Sequence, residues 1–234
     1  MKCNVSKEAV LDFILRQLSF LYPLNNEERE GLEPALDDAW NRASHCFSCC
    51  SNKYFVQNGE SIFDPYHGGQ YTIFLYLFSN SLHQHNHTAA SKIYLLNRAL
   101  HSVDLYHEVA LPAIWRLDHP LGSVLGRATY SDYLSFAQGC TVGSIGSDYP
   151  RLGKLITLAP GSYVLGKCVI GDCCIVAPRC MVKNEVIPPF SLVFGESPHL
   201  IVKQRDASYF SRHYEGIWKD PDQLIEKIRS NPSI

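Results

Sequence analysis

From residue 152 to 187 the chain places an aliphatic side chain at every sixth position: Leu152, Leu158, Val164, Ile170, Val176 and Val182, with no insertion between them. The fifth place of the same hexads holds Ile156, Ser162, Cys168, Cys174, Cys180 and Val186, all small or aliphatic. Two inward positions in six suit short flat strands that turn tight corners. Six consecutive hexads in one register predict a parallel β-helix, each aliphatic residue stacked on its equivalent one coil below. The register extends backwards through Val142 and Phe136 and, after a one-residue slip, Leu125, so the coil begins well before the unbroken hexads. Between Val142 and Leu152 the spacing is ten where twelve is expected. Residues 144–151, SIGSDYPR, should therefore leave the prism as a loop that lines the active cleft.

The first hundred residues follow a helical period. Ser6 precedes a stretch in which Val10, Phe13, Ile14, Leu18 and Leu21 fall on one side, and Pro23 ends it. A second helix is expected to open after Asn26, with Glu27, Glu28 and Glu30 near its positive end, and to run towards His45. Residues 51–69 are irregular and rich in Asn, Gly and Pro, which predicts a loop. Residues 70–82 and 88–100 then read as two helices joined by a turn that carries His83, His85 and His87. Beyond residue 205 come Tyr209, Phe210, Tyr214 and Trp218, and a short helix opened by Asp220 and Pro221, expected to pack back on the coil. The expected fold is mainly β: a helical region over 1–102, the β-helix over 103–205 and a tail over 206–234.

Composition narrows the function. With 234 residues, 46% of them hydrophobic, the chain can bury a sizeable core. A net charge of -2 and the lack of any basic run argue against a nucleic-acid partner. No apolar stretch approaches the ~20 residues that span a bilayer, and the start of the chain has no signal-peptide pattern, so a cytoplasmic location is expected. Five of the nine cysteines (Cys140, Cys168, Cys173, Cys174, Cys180) lie in the repeat, where a small apolar side chain suits inward and corner places. His45, Cys46, Cys49 and Cys50 lack a second pair at zinc spacing, and the three histidines of the turn sit among Ser, Asn and Thr, so no metal is expected.

Candidate chemistry lies at the junction. Residues 104–119 read DLYHEVALPAIWRLDH and are followed at once by Gly122, Val124 and Gly126. Histidine is the side chain best suited to take a proton at neutral pH, and a carboxylate on its other nitrogen holds the tautomer. A triangular coil takes about eighteen residues, so Asp104 and His119, fifteen apart, can meet near one corner. A surface acid and a corner-capping histidine would show the same spacing.

The runs LDHPLGSVLGRA and LSFAQGCTVG, the hexads and the closing GESPHLIVK together resemble the catalytic domain of serine O-acetyltransferases, over roughly 104–203. The resemblance implies a left-handed β-helix, acetyl-CoA as co-substrate and a homotrimer, and because the helical cap is shorter than the family's amino-terminal domain that pairs two trimers, a hexamer is less expected. It implies that His119 is the general base, that Asp104 orients it and that Asp118 contacts the acceptor. It implies that coenzyme A lies in the groove between coils of adjacent subunits, beside Ala159, Ala177 and Lys183, with Lys203 and Arg205, after Pro198, near a nucleotide phosphate. One departure matters. That family carries Arg-His-Pro after the glycine-rich turn, where this chain has Asp148, Tyr149 and Pro150, so an acid replaces the guanidinium that would hold an amino-acid carboxylate. The expected acceptor is therefore a sugar or another small polar alcohol, of the kind acetylated in surface polysaccharide assembly. Tyr149, with Tyr130 and Tyr133, is placed to stack on it, and Asp64 and His67, in IFDPYHGGQY, to reach it from a flexible segment. Authentic serine acetylation, with Arg151 serving the carboxylate, and a non-catalytic scaffold are the alternatives.

Overall fold

In the computed structural model, which describes residues 1–233, short strands stack into three ladders that close a triangular left-handed β-helix. One face carries Trp115–Leu117, Leu134–Phe136, Ile156–Leu158, Cys174–Val176 and Ser191–Phe194, all parallel, and ends in the antiparallel strand Ile201–Gln204. The second face stacks Val124–Leu125, Thr141–Gly143, Tyr163–Leu165 and Met181–Lys183; the third stacks Thr129–Tyr130, Arg151–Leu152, Val169–Ile170 and Val186–Ile187. Leu125, Val142, Val164 and Val182 form one buried inward column, and Leu152, Ile170 and Ile187 another. Fully burying such a side chain is worth roughly 1.5–3 kcal/mol, and that gain, repeated at every coil, holds strands too short to persist alone.

Corners impose a backbone cost. Tyr133, Leu155, Cys173 and Phe190 stack at one corner in the left-handed conformation, with φ of 67°, 59°, 56° and 57°. For a residue with a Cβ this costs roughly 1–2 kcal/mol. Their N–H groups donate in turn to the carbonyls of Ile114, Asp132, Lys154 and Asp172, so a second hydrogen-bond ladder runs down the corner and offsets the strain.

The structure corrects the register in two places. Val142 pairs with Val164, twenty-two residues on, so the interval before Leu152 is one hexad plus four extra residues and not two shortened hexads. The extra residues form a small hairpin in which Ile145 and Asp148 exchange both backbone hydrogen bonds at 3.1 Å. In the last coil Val169 pairs with Val186, seventeen residues on. Gly166 and Asn184 both turn with positive φ, but Cys168 has no counterpart after Asn184. Val186 therefore points outward, 72% exposed, and Ile187 takes the inward place.

Four helices precede the coil: α1 (Lys7–Leu21), α2 (Leu32–Ser48), α3 (Gly68–Leu82) and α4 (His87–His101). Ser6 caps α1 by accepting from the Ala9 N–H, and Val10, Ile14 and Leu18 are buried as expected, whereas Leu21 is exposed. The helix expected after Asn26 is only a short 3-10 turn there; Gly31, at φ 75°, breaks the chain and α2 starts at Leu32. The segment expected to be loop holds two short strands, Val56–Gln57 and Glu60–Phe63, which pair antiparallel with each other, and the second also pairs parallel with Lys2–Cys3. α3 is buried along most of its length and lies between α2 and α4. None of the described helices is long and apolar enough to cross a membrane. After the coil come α5 (Ala207–Tyr214) and α6 (Pro221–Ser230), and the tail does pack back: the Tyr214 hydroxyl lies 3.2 Å from the Leu155 carbonyl, and Trp218 meets Tyr133 edge to face at 5.4 Å.

Phe136 stands in the inward column between Leu117 and Leu158, fully buried, and stacks on Trp115. Phe136→Ala should lower the unfolding free energy by about 3–5 kcal/mol in urea titration. A loss below about 1 kcal/mol would show that the coil collapses around the gap and that this column does not carry the fold.

Candidate active site

The strand Trp115–Leu117 starts the coil and is held from three sides. The Trp115 ring stacks on Phe136 at 6.1 Å and meets Tyr76 of α3 edge to face at 5.5 Å, while the Cys46 thiol of α2 donates to its carbonyl at 3.0 Å. Burial raises the Cys46 pKa, which keeps the thiol protonated and able to donate. The ladder continues one residue further, the Asp118 N–H donating to Phe136. At His119 the chain turns out of it, with φ 48°, and the Leu121 N–H closes the turn by donating to the His119 carbonyl at 2.8 Å. His119 is consequently presented to solvent at a corner and not packed beneath it.

A cleft of about 510 Å³ lies between this corner and the helices. Arg116, Asp118 and His119 line it from the coil, His67, Gly68 and Gly69 from the start of α3, and His101 from the end of α4. His67 caps α3: its Nδ1 accepts from the Gln70 N–H at 3.3 Å, so the neutral ring carries its proton on Nε2. The structure thus brings together His119, Asp118 and His67 of the residues singled out from the sequence. Asp118 is bound by Arg116 of the same strand.

Other expected residues lie elsewhere. Among the described residues no hydrogen bond or ion pair joins Asp104 and His119. The Asp104 Oδ1 accepts from the Tyr94 hydroxyl at 2.9 Å, and Oδ2 lies 3.9 Å from Arg98. Asp104 pairs with Val124, twenty residues on, so this first coil is longer than eighteen residues. Asp64 forms an Asx turn, accepting from the Tyr66 N–H at 2.9 Å, and does not line the cleft. Tyr149 follows the inserted hairpin and is 47% exposed, away from the cleft; that loop does not line the cleft as expected. Tyr130 and Tyr133 are structural: the first donates to the Gly126 carbonyl and the second packs on Trp218.

The residues assigned to coenzyme A do not line this cleft either. Ala159 and Ala177 are partly and almost wholly buried, and their N–H groups already donate to Val176 and Val193, so those amides are not free for a ligand. Lys183 is exposed on the second face. The Lys203 ammonium lies over the Phe194 ring at 5.8 Å and Arg205 over Tyr209 at 5.9 Å. His83 and His87 gather around His107, 6.0 and 5.0 Å from its ring, and not around each other.

Two cleft residues escaped the sequence reading. Arg116, between Trp115 and Leu117, reads as the outward residue of an alternating strand, and nothing in the pattern marks it as buried. His101 ends α4, and its Nδ1 lies 2.8 Å from Asn97 Oδ1 one turn earlier; only the helical spacing of that pair offered a signal.

The fold is that of a hexapeptide-repeat β-helix preceded by helices. Among solved structures the chain is similar to the serine acetyltransferase from Brucella abortus strain S19, with 20% identity over 86% of this chain and 85% of that one and a TM-score of 0.68. It is also similar to that protein in complex with coenzyme A (19% identity, 86% and 84% covered, TM-score 0.66) and to the serine acetyltransferase from Neisseria gonorrhoeae (19%, 89% and 84%, TM-score 0.65). At such identities the likeness establishes the fold. No protein-family model and no curated protein matches the chain.

The half-buried His101 gives the site a pH signature. Burial lowers the His101 pKa to about 4 from 6.5. Between those values the unfolded chain binds the extra proton, so this contribution to stability is fully present above pH 6.5 and is lost as the pH falls towards 4. His107, also lowered to about 4 by burial and then by His87, acts in the same direction. Thermal melts should show Tm falling over that window, and His101→Gln should flatten part of the slope; an unchanged slope would mean that His101 is protonated in the fold.

Proposed function

We propose that this chain is an acetyl-CoA-dependent O-acetyltransferase in which His119 is the general base. The observation that carries the proposal is the place of His119: exposed at a strained corner, at the mouth of a cleft, within the run Leu-Asp-His that precedes Gly122, Val124 and Gly126. The fold, shared with solved structures of serine acetyltransferase, one of them in complex with coenzyme A, supports the same reading.

In this reading His119 removes the acceptor hydroxyl proton as the oxygen attacks the thioester carbonyl carbon. The carbon–sulfur bond then breaks, the acetyl group stays on the oxygen and the proton passes from the imidazolium to the departing thiolate. Asp118, fixed by Arg116, contacts the acceptor. Asp104, clamped by Tyr94 and Arg98 beside the next rung, acts across the corner as a carboxylate that favours the imidazolium and does not bond to it directly. The acceptor is a small polar alcohol, a sugar being the form favoured by the acid at Asp148. Coenzyme A approaches along the outer coil, with Lys183 and Lys203 as cations for its phosphates. A trimer would complete that groove and cover Leu121, Val124 and Tyr163, which are 61%, 39% and 36% exposed.

Purified protein incubated with acetyl-CoA should release free thiol with some members of a panel of sugars, nucleotide sugars, serine and homoserine. His119→Ala should cut kcat by about 10²–10⁴ with the fold intact. Asp104→Asn should cost less, about tenfold, as expected of a charge acting without a hydrogen bond. Full activity in His119→Ala would remove it as the base, and activity with serine alone would overturn the sugar acceptor.

A further inference from the structure

The cleft contains a cation whose partners are incomplete. The Arg116 side chain is only 7% exposed, and its one hydrogen bond runs from Nη2 to Asp118, whose own side chain is 51% exposed. Its Nε is buried with no partner among the described residues. A guanidinium offers five N–H donors in a rigid planar fork, suited to two parallel bonds to a carboxylate or phosphate. Here one of the five is used.

A second, independent feature faces the same space. The first turn of α3 rests against the strand that carries Arg116: a Cβ built on Gly69 would lie 3.2 Å from Leu117 Cδ1. Gly68 faces open space, and neither the Gly68 nor the Gly69 N–H donates a hydrogen bond among the described residues. These are the unpaired donors at the positive end of a fifteen-residue helix. His67 adds an Nε2–H beside them. Against these donors the cleft lining sets one carboxylate, Asp118, already paired.

We infer that the cleft binds an acceptor carrying a carboxylate or phosphate group, held between Arg116 and the start of α3, and that Arg116 selects it. The inference rests on the acetyl-transfer reading above and names the acceptor class for the same site. The main chain between Arg116 and His119 spans at most about 10 Å, so an acceptor with its anion a few bonds from the reacting hydroxyl, a hydroxy acid, sugar acid or sugar phosphate, reaches both.

The test compares matched acceptors on the full chain with acetyl-CoA: serine against serinamide, gluconate against glucose, and glucosamine 6-phosphate against glucosamine. The charged member of at least one pair should show a kcat/KM about tenfold higher or more, and Arg116→Met should bring that ratio close to one. Arg116→Lys, which keeps the charge and loses the fork, should give an intermediate ratio. The carboxylate pairs and the phosphate pair tell the two anions apart. Equal values within every pair, or a preference that survives in both variants, would overturn the inference and leave acetyl transfer standing. If no acceptor releases thiol, the acetyl-transfer reading fails, and the anion site is then read alone from Tm in acetate or inorganic phosphate at constant ionic strength. A rise in the wild type that Arg116→Met lacks supports the site, and no rise in the wild type sinks it.

Discussion

Trp115 is the constraint on which the remainder is arranged. Its ring has the Phe136 face on one side and the Tyr76 edge on another, and its carbonyl is taken by the thiol of Cys46. A buried tryptophan removes about 150–250 Å² from water, and this one joins the helices to the coil. Tyr76 extends the joint, for its hydroxyl donates to the Val109 carbonyl and accepts from the Leu111 N–H. The first strand of the coil is thereby fixed relative to α2 and α3. Arg116, Asp118 and His119 follow in the next four positions and inherit that placement. The cleft is the gap that the aromatic joint leaves at its edge.

How much of this was legible depended on whether a feature repeats. Inward columns such as Val164 over Val182 were visible because each coil votes for the same register. The left-handed corner at Leu155 and Cys173 was not, since both are ordinary apolar residues whose strain is met by hydrogen bonds between coils, which no local pattern records. Single departures were misread. Val186 looks like every other fifth-place residue, and only the missing residue after Asn184 turns it outward. The spacing of Asp104 and His119 fits an eighteen-residue coil, while the first coil takes twenty from Asp104 to Val124 and the Tyr94 hydroxyl, in a different element, donates to one Asp104 oxygen. His119 itself was legible from its motif, and His67 from the loosely structured run around it. Arg116 was invisible because burial of a strand residue's outer face depends on what the rest of the chain sets against that face, here a cleft lined from the start of α3 and the end of α4.

The cysteines show how one residue type serves two purposes. Within the coil Cys168, Cys173, Cys174 and Cys180 are buried and burial raises the pKa of each, so they stay protonated and fill small apolar places, Cys168 and Cys174 also donating to the carbonyls of Leu165 at 3.1 Å and Pro188 at 3.3 Å. At the junction Cys46 joins two parts of the structure, donating from α2 to the Trp115 carbonyl of the first strand of the coil. Cys50, one turn later, is pushed up to about 12 mainly by burial. All nine thiols are free, and none of the packing depends on oxidation.

The last strand of the first face, Ile201–Gln204, runs against the direction of every strand before it. A parallel solenoid with a bare final rung is a template: the next coil, from the same chain or from a neighbour, finds the hydrogen-bond pattern it needs, and such edges grow into fibres. A reversed strand presents the wrong pattern to a further parallel coil, and the helices at the opposite end occupy the other edge. The rod is therefore finite by construction. On this face the run of parallel rungs stops at a terminator and not at any limit in the repeat.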